Sequence, residues 1–410
     1  MDFIFSLPMH ARLAAVFLLG ACLGAAVNLA TYQLAWYPRP ISPWSFPAPS
    51  APPRRFWDRL PIVGWLGLRR ESGLHGTGFW LRPMCVELLI GLGLAWLYWW
   101  EIGAAGLFPP GFPRPPHPAL LPLLHLEFVS HVLLIALMLV ASLIDVDEKI
   151  IPDAVIIPGT LVGLLLAAAW PLSLLPDVIG FLHLTSPNPW LDCLDGFPRT
   201  VSLCLGLSCW WLWCVAILPR TWYSRHGWRR AMALCWARVV REPSAYRILR
   251  MALMGSLAIA FVWFRGKEGW EALLSSLVGM AASGGLVWLV RVIGAVTLRR
   301  EAMGFGDVTL MAMMGAYLGW QPCMMIFFLA PFAGLAVGVL RLILFRDKEI
   351  PYGPFLCLAA LVVIVRWHTI WDYAQPIFFM GWFVPLVLLG CLMLMAVMLG
   401  TWGLIRRSFH

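Results

Sequence analysis

Charge is scarce in this sequence: only 12% of its 410 residues are charged, whereas 61% are hydrophobic. A soluble globular domain carries about 25% charged residues, so the composition excludes an ordinary soluble protein. Apolar runs of about 20 residues recur along the chain, which is the length that a helix needs to cross the hydrocarbon core of a bilayer. We therefore expect a protein that crosses a membrane several times.

Lysine is almost absent, because Lys149, Lys267 and Lys348 are its only occurrences, and the net charge of +9 therefore comes from arginine. The arginines lie in short loops beside apolar runs, as the positive-inside rule describes. This distribution indicates the lipid bilayer as a partner and argues against nucleic acid.

Paired cysteines are also missing: none of the ten cysteines stands in a C-x-x-C pair, and most lie within apolar runs. Cysteine in such a run behaves as a small hydrophobic residue. The sequence therefore predicts neither a disulfide framework nor a metal site, zinc included.

Each apolar run is expected to be a helix, because backbone groups in lipid must be hydrogen-bonded within their own segment. The predicted fold class is all-α, a polytopic bundle of about nine to eleven transmembrane helices. The arginine-rich segments 35–83 and 219–250 belong in the cytoplasm, which places the N-terminus outside. Segments poor in lysine and arginine are expected to face outward, namely 106–124, 176–197 and 367–377.

Two carboxyl groups stand out because each lies where an apolar run meets the same predicted membrane face. Asp145 closes one run and Asp307 opens a later one. Two carboxyl groups brought together cannot both ionise comfortably, so one keeps a proton while the other acts as a base. Such a pair can activate water and protonate a leaving amine, which is peptide hydrolysis. Gly304 and Gly306 leave room for a facing helix or a substrate strand.

The neighbouring acids Asp147, Glu148 and Asp153 have a simpler interpretation as helix caps or interfacial anchors. Asp153 follows Pro152 and fits a cap for the apolar run that begins near Ala154.

Several ordered motifs resemble those of the prepilin peptidases, the type IV leader peptidases among the GxGD intramembrane aspartic proteases. The matching stretches are Gly24 to Asn28, Arg82 to Glu87, Asp145 to Asp153, Arg300 to Val308, and Pro351 to Phe355. The resemblance implies that Asp145 and Asp307 are catalytic, with Gly304, Gly306 and Pro152 as supporting residues of their motifs.

The resemblance also implies the substrate, a membrane-tethered prepilin or pseudopilin whose short basic leader is cut at the cytoplasmic face of the bacterial inner membrane. A basic leader favours acidic partners. The candidates for substrate binding are Glu87, Asp147, Glu148 and, from the first motif, Asn28. Glu87 has an alternative role as an interfacial cap or as the partner of a loop arginine. Proteolysis needs no cofactor, and S-adenosylmethionine enters only if the methyl transfer of bifunctional members is retained.

The chain departs from the family's pattern in several places. Gln33 stands where the family has arginine, and the segment 35–83 lacks the cysteines that many members carry there. Asp145 and Asp307 lie 162 residues apart, an unusually long interval. We therefore expect an enlarged, divergent member, divided into a first transmembrane helix (1–34), a cytoplasmic loop without zinc cysteines (35–83), a core with the first aspartate (84–175), an insertion of extra spans and a basic loop (176–296), a core with the G-F-G-D motif (297–367) and an additional C-terminal span (368–410).

Two other functions remain open. A proton-coupled transporter would use ionisable residues inside the membrane, such as Asp145, His131, Arg291 and Arg341. Transporters place their sites near the midplane, whereas both key acids lie at one face. A degenerate peptidase retained as a non-catalytic assembly scaffold would explain Gln33 and the missing cysteines, but it has no physical need for both aspartates.

Overall fold

The computed structural model of the chain describes residues 7–47, 50–109, 120–179, 183–185, 199–218, 243–298, 303–344, 351–381 and 383–408. Most of the basic segment 219–250 lies outside these residues, and its cytoplasmic location stays a prediction.

Helices make up almost all of the described chain, which confirms the predicted all-α class. In chain order they are α1 (Met9–Leu34), α2 (Gly64–Leu68), α3 (Ser72–His75), α4 (Leu81–Tyr98), α5 (Leu121–Glu148), α6 (Asp153–Ala169), α7 (Arg199–Ala216), α8 (Pro243–Arg265), α9 (Lys267–Leu298), α10 (Phe305–Leu318), α11 (Trp320–Leu344), α12 (Gly353–Val365), α13 (Trp367–Phe378) and α14 (Phe383–Ser408). Helix α4 continues into a π-helical turn, Trp99–Gly103. Two strands of three residues, β1 (Asp177–Ile179) and β2 (His183–Thr185), pair antiparallel.

Seven described helices are long and apolar enough to cross a membrane, and the number rises to eight if the bent pair α12 and α13 counts as one span. Three shorter apolar helices, Asp153–Ala169, Thr200–Ala216 and Phe305–Leu318, lie among them. The protein is therefore a multi-pass membrane protein, as predicted. The predicted number of nine to eleven spans is reached only when the shorter helices are counted as well, and the outward N-terminus stays a prediction.

The pair α12 and α13 bends by 93°. The segment 367–377 was expected to be an outward connection, but it forms helix α13. Trp367 at the start of α13 is fully buried, stacks on Trp371 and donates its indole N–H to the Pro176 carbonyl at 2.6 Å. The bend therefore lets α13 cover the end of the bundle instead of continuing α12.

Helix α9 packs against α10 through small residues. A Cβ atom added to Gly279 would lie 2.3 Å from the carbonyl oxygen of Gly315, so the two backbones are in direct contact. The Ser276 hydroxyl donates to the Ala316 carbonyl across the same interface. Small facing residues allow this approach in a membrane, where packing rather than the hydrophobic effect holds helices together. Helix α9 thus supports the helix that carries Asp307.

The loop between α1 and α4 is folded around ion pairs. Arg54 donates two hydrogen bonds to the fully buried carboxylate of Glu71, at 3.2 and 3.1 Å. Arg70 pairs in the same bidentate manner with Asp58. Trp65 is fully buried beneath them. Arginine suits such pairs because its planar fork matches a carboxylate, and the loop thereby forms a defined structure over the ends of the spans.

Candidate active site

Asp145 lies in the last turn of α5, and its side chain is buried, with the residue 5% exposed. The helix ends because Lys149 adopts the left-handed conformation (φ 57°), while its N–H donates to the Asp145 carbonyl at 2.8 Å. A left-handed residue of this kind is a common helix C-cap. The helix therefore stops one turn after Asp145 and leaves the carboxyl group near its end.

Asp307 is the third residue of α10 and is 7% exposed. Gly304 is the cap residue of the helix, and a Cβ atom added to it would lie 3.7 Å from Asp307 Oδ2. An acidic side chain in the first turn suits the positive end of the helix dipole. The G-F-G-D motif therefore fixes the Asp307 carboxyl group at the start of its helix.

The Asp145 and Asp307 carboxyl groups are close enough to interact electrostatically. A third motif joins them: a Cβ atom on Gly353 would lie 2.6 Å from Asp145 Oδ2, so the Gly353 backbone lies directly against the Asp145 carboxyl group. The adjacent Tyr352 interacts electrostatically with Asp307: burial, and then the Asp307 charge, raise the pKa of Tyr352 to about 12. The stretch from Pro351 to Phe355 is thus the third wall of the site.

Ile151 packs between the motifs. A Cβ atom on Gly306 would lie 2.9 Å from the Ile151 Cβ, and one on Gly353 would lie 3.2 Å from its Cδ1. Pro152, the next residue, caps α6 and ends the turn that begins after Asp145. Gly304 differs from these glycines because it is exposed and its nearest neighbour across space is Asp307 Oδ2, at 3.7 Å from an added Cβ.

The arrangement fits acid–base chemistry between two carboxyl groups. Asp145 Oδ2 has no hydrogen-bond partner among the described residues, so one oxygen of the pair remains available. Within the same residues, no cluster of three or more His, Cys, Asp or Glu side chains could hold a metal ion. Two neighbouring buried carboxyl groups share protons so that one is an acid while the other is a base.

Two of the predicted substrate-binding residues, Glu87 and Asn28, contact each other inside the protein. Glu87 is 1% exposed and accepts hydrogen bonds from Asn28 Nδ2 (3.1 Å), Trp65 Nε1 (2.8 Å) and the Ile62 N–H (2.5 Å). Asn28 also donates to the Pro83 carbonyl at 2.9 Å. These contacts tie α1, α4 and the loop together. Among the described residues, the partners of Glu87 are an asparagine, a tryptophan and a backbone N–H, and not the loop arginine suggested above; its role in substrate binding stays a prediction.

The other two candidates, Asp147 and Glu148, also have partners within the chain. Asp147 accepts a hydrogen bond from Arg82 at 2.6 Å and lies 4.0 Å from Arg39. Glu148 accepts hydrogen bonds from the backbone N–H groups of Trp36 and Tyr37, at 2.6 and 3.2 Å. The last turn of α5 is thereby anchored to the residues that follow α1 and to the start of α4, and a basic leader would compete with these contacts.

A second cluster of ionisable groups lies elsewhere on α5. The His131 Nδ1 is 2.8 Å from Glu101 Oε1, and Glu127 is buried nearby. His131 precedes Asp145 by four helical turns, or about 20 Å along the helix. Sequence reasoning named His131 but missed both glutamates, because neither lies in a motif and only packing brings α4 and α5 together.

The fold and this site define a multi-pass membrane protein with a buried pair of carboxyl groups at the ends of two helices. The model of the type IV leader peptidase family matches residues 244–339, which include Asp307 and its glycines. The chain is 29% identical over 156 residues to the prepilin leader peptidase/N-methyltransferase of Aeromonas hydrophila, covering 35% of this chain and 53% of that protein. It is 30% identical over 121 residues to the same-named protein of Stutzerimonas stutzeri (29% and 40% covered) and 20% identical over 317 residues to that of Pseudomonas putida (76% and 68% covered).

These matches confirm the resemblance that the motifs predict: the chain is a distant relative of the type IV leader peptidases. It spans about half the length of the first of these relatives. No solved structure matches it. The family match begins inside 176–296, the segment assigned above to an insertion, and that division of the chain stays a prediction.

Proposed function

We propose that the chain is an intramembrane aspartic endopeptidase that removes the short basic leader of type IV prepilins or pseudopilins at the cytoplasmic face of the bacterial inner membrane. Asp145 and Asp307 are the catalytic pair in this proposal. Gly304, Gly306 and Pro152 shape the turns that present them.

One observation carries the proposal: two carboxyl groups that are distant in sequence lie buried beside each other, and three motifs converge on them. Asp145 ends α5, Asp307 begins α10, and Gly353 begins α12 in direct contact with Asp145. Burying an isolated charge is costly, and among the described residues neither carboxyl group is paired with a basic side chain, which indicates function more than stability. The names of the relatives supply the substrate class, which the geometry alone does not.

The reaction needs only the two carboxyl groups and a water molecule. One carboxylate takes a proton from water while the water oxygen bonds to the scissile carbonyl carbon. The other carboxyl group, which holds a proton, donates it as the carbon–nitrogen bond breaks, so that the new amine leaves neutral. Burial excludes bulk water and strengthens each electrostatic contact in the pair. Exposed Gly304 beside Asp307 gives a substrate strand an approach without a side chain in its way.

The proposal is tested by cleavage of a prepilin-like precursor in membranes that contain the wild type, Asp145→Asn or Asp307→Asn. Asparagine keeps the shape of the side chain but cannot exchange protons. Asp372→Asn is a matched control, because Asp372 is exposed on α13 and pairs with His368 at 3.2 Å. We expect cleavage by the wild type and the control and none by either site variant, with all four inserted in equal amounts. Cleavage by either site variant contradicts the assignment of the pair.

Methyl transfer is not part of this proposal. The relatives' names include N-methyltransferase, but here the loop between α1 and α4 has no cysteine. Ion pairs and the Glu87 hydrogen bonds organise it instead. S-adenosylmethionine would be a substrate only if that second activity is retained, which a methyl-transfer assay on the cleaved product decides.

Proton-coupled transport is a second candidate, because one observation favours it. Glu101 Oε2, Glu127 Oε1 and His131 Nε2 are buried and have no hydrogen-bond partner among the described residues. Intramembrane groups of this kind mark proton pathways in transporters. Proton uptake into proteoliposomes that is lost in His131→Asn, with precursor cleavage absent from the wild type, would favour transport over proteolysis.

A further inference from the structure

A basic side chain on α9 contacts the turn that leads into Asp307. Arg291 Nε donates to the Met303 carbonyl at 3.0 Å, and its guanidinium carbon lies 5.7 Å from the centre of the Phe305 ring. Met303 and Phe305 flank Gly304, the cap residue of α10, whose added Cβ would lie 3.7 Å from Asp307 Oδ2. Arg291 therefore contacts both neighbours of the residue that lies against the Asp307 carboxyl group.

We propose that Arg291 is a positioning residue for Asp307. The inference rests on the proposed peptidase function, which it deepens. Both of these contacts are with the turn, one with the Met303 carbonyl and one with the Phe305 ring, so in this proposal Arg291 acts through the turn that precedes Asp307.

The chemistry of the two contacts explains why an arginine serves this purpose. A guanidinium group can donate from Nε while its flat face lies over an aromatic ring, and it keeps its charge in an apolar environment. A hydrogen bond from a charged donor is stronger than one between neutral groups, particularly where the dielectric is low. A lysine could keep one of these contacts but could not make both with one rigid plane.

The turn needs such support because of its sequence. Gly304 caps α10 without a side chain that could hydrogen-bond to the helix, and it is exposed. The close contact between α9 and α10 at Gly279 and Gly315 holds the opposite end of α10, because Gly315 lies near its last residue, Leu318. The contacts of Arg291 with Met303 and Phe305 connect α9 to the other end of α10, which carries Asp307.

The test compares purified wild type with Arg291→Met, Arg291→Lys and a control, Arg265→Met, using a prepilin-like precursor. Arg265 is exposed at the end of α8 and also lies over a ring, that of Phe261 at 5.8 Å, but on its own helix. We expect kcat to fall on the order of 10- to 100-fold in Arg291→Met, because a misplacement of about 1 Å can cost that much. KM should stay unchanged, Arg291→Lys should be intermediate, and Arg265→Met should match the wild type.

Hydrogen exchange of the amides of residues 303–310 gives a second readout that does not depend on catalysis. We expect faster exchange there in Arg291→Met and no change in α14. Wild-type kcat in Arg291→Met, a change confined to KM, or a loss of kcat without faster exchange overturns the inference. Faster exchange in Arg291→Met, with no precursor cut by the wild type, supports the grip on the turn while overturning the peptidase proposal.

Discussion

Replacing Gly353 by alanine should slow catalysis although both aspartates remain in the sequence. An added Cβ would lie 2.6 Å from Asp145 Oδ2 and 3.4 Å from its Cγ. Ordinary van der Waals contacts begin at 3.4 Å, so the carboxylate oxygen must move by about 0.8 Å.

A displacement of this size is expensive in catalysis, because a misplacement of about 1 Å can lower a rate by a factor on the order of 100. We therefore expect Gly353→Ala to cut a prepilin-like precursor roughly 10- to 100-fold more slowly than the wild type. The assay is initial-rate cleavage in detergent or membranes at equal amounts of inserted protein.

The matched control is Gly93→Ala on α4, where nothing lies within 4 Å of an added Cβ. It should cleave at the wild-type rate, since alanine is tolerated or preferred within a helix. If Gly353→Ala also cleaves at that rate while Asp145→Asn is inert, the Asp145 carboxylate does not lie against Gly353 during catalysis.

Three further predictions concern the surroundings of the pair. Gly306→Ala places a Cβ 2.9 Å from Ile151 Cβ. Cleavage should slow, and Ile151→Gly in the same chain, which removes that Cβ, should restore part of the rate, whereas equal rates for the single and double variants would refute the contact. Glu87→Gln should lower the free energy of unfolding by about 1–3 kcal/mol, because an amide oxygen cannot accept all three hydrogen bonds that the carboxylate accepts. Thermal unfolding in detergent measures this loss, and a higher KM at unchanged stability would instead support substrate binding. Burial opposes ionisation of Asp58, but hydrogen bonds from Arg70 and the Arg55 N–H outweigh it and hold the pKa of Asp58 below its usual range. The resulting stabilisation is complete above the usual carboxyl pKa and is lost as pH falls through the lowered pKa. Acid should therefore destabilise the wild type more than Asp58→Asn, which thermal unfolding measured across that pH range tests.

The sequence predicts the all-α bundle and the turns around both aspartates well, because these features are local. A long apolar run in lipid forms a helix, because its backbone groups must be hydrogen-bonded within the segment. Asp145 stands where one such run ends, and Asp307 stands where another begins. The turn chemistry is also readable, since Pro152 directly precedes α6 as its N-cap.

The contacts between motifs could not be predicted, because they depend on packing between distant segments. Nothing near Gly353 in the sequence indicates that its missing side chain makes room for Asp145. Similarly, acidic residues beside a proposed catalytic aspartate suggest substrate binding. In the structure, however, Asp147 accepts a hydrogen bond from Arg82, and Glu148 accepts hydrogen bonds from backbone N–H groups of the segment after α1. Helix α13 was missed because its hydrophobic positions are broken by polar residues and by Pro376.

The long interval between the aspartates is compatible with a compact site because its described helices α7 and α8 pack against each other and against α9. Helices α7 and α8 contribute Trp210, Trp213 and Ile259 to a hydrophobic cluster separate from the one that surrounds α5 and α12. Helix α9 joins the two clusters, since Leu277 lies in one and Val287 in the other. A helix added at the periphery leaves the central packing intact, whereas removing α9 would expose the glycine face of α10. We therefore propose that α9, although it lies within 176–296, belongs with the core that carries the site. Helix α8, except for its first residue, also lies within the family match at 244–339, so among these three helices only α7 is proposed as an addition.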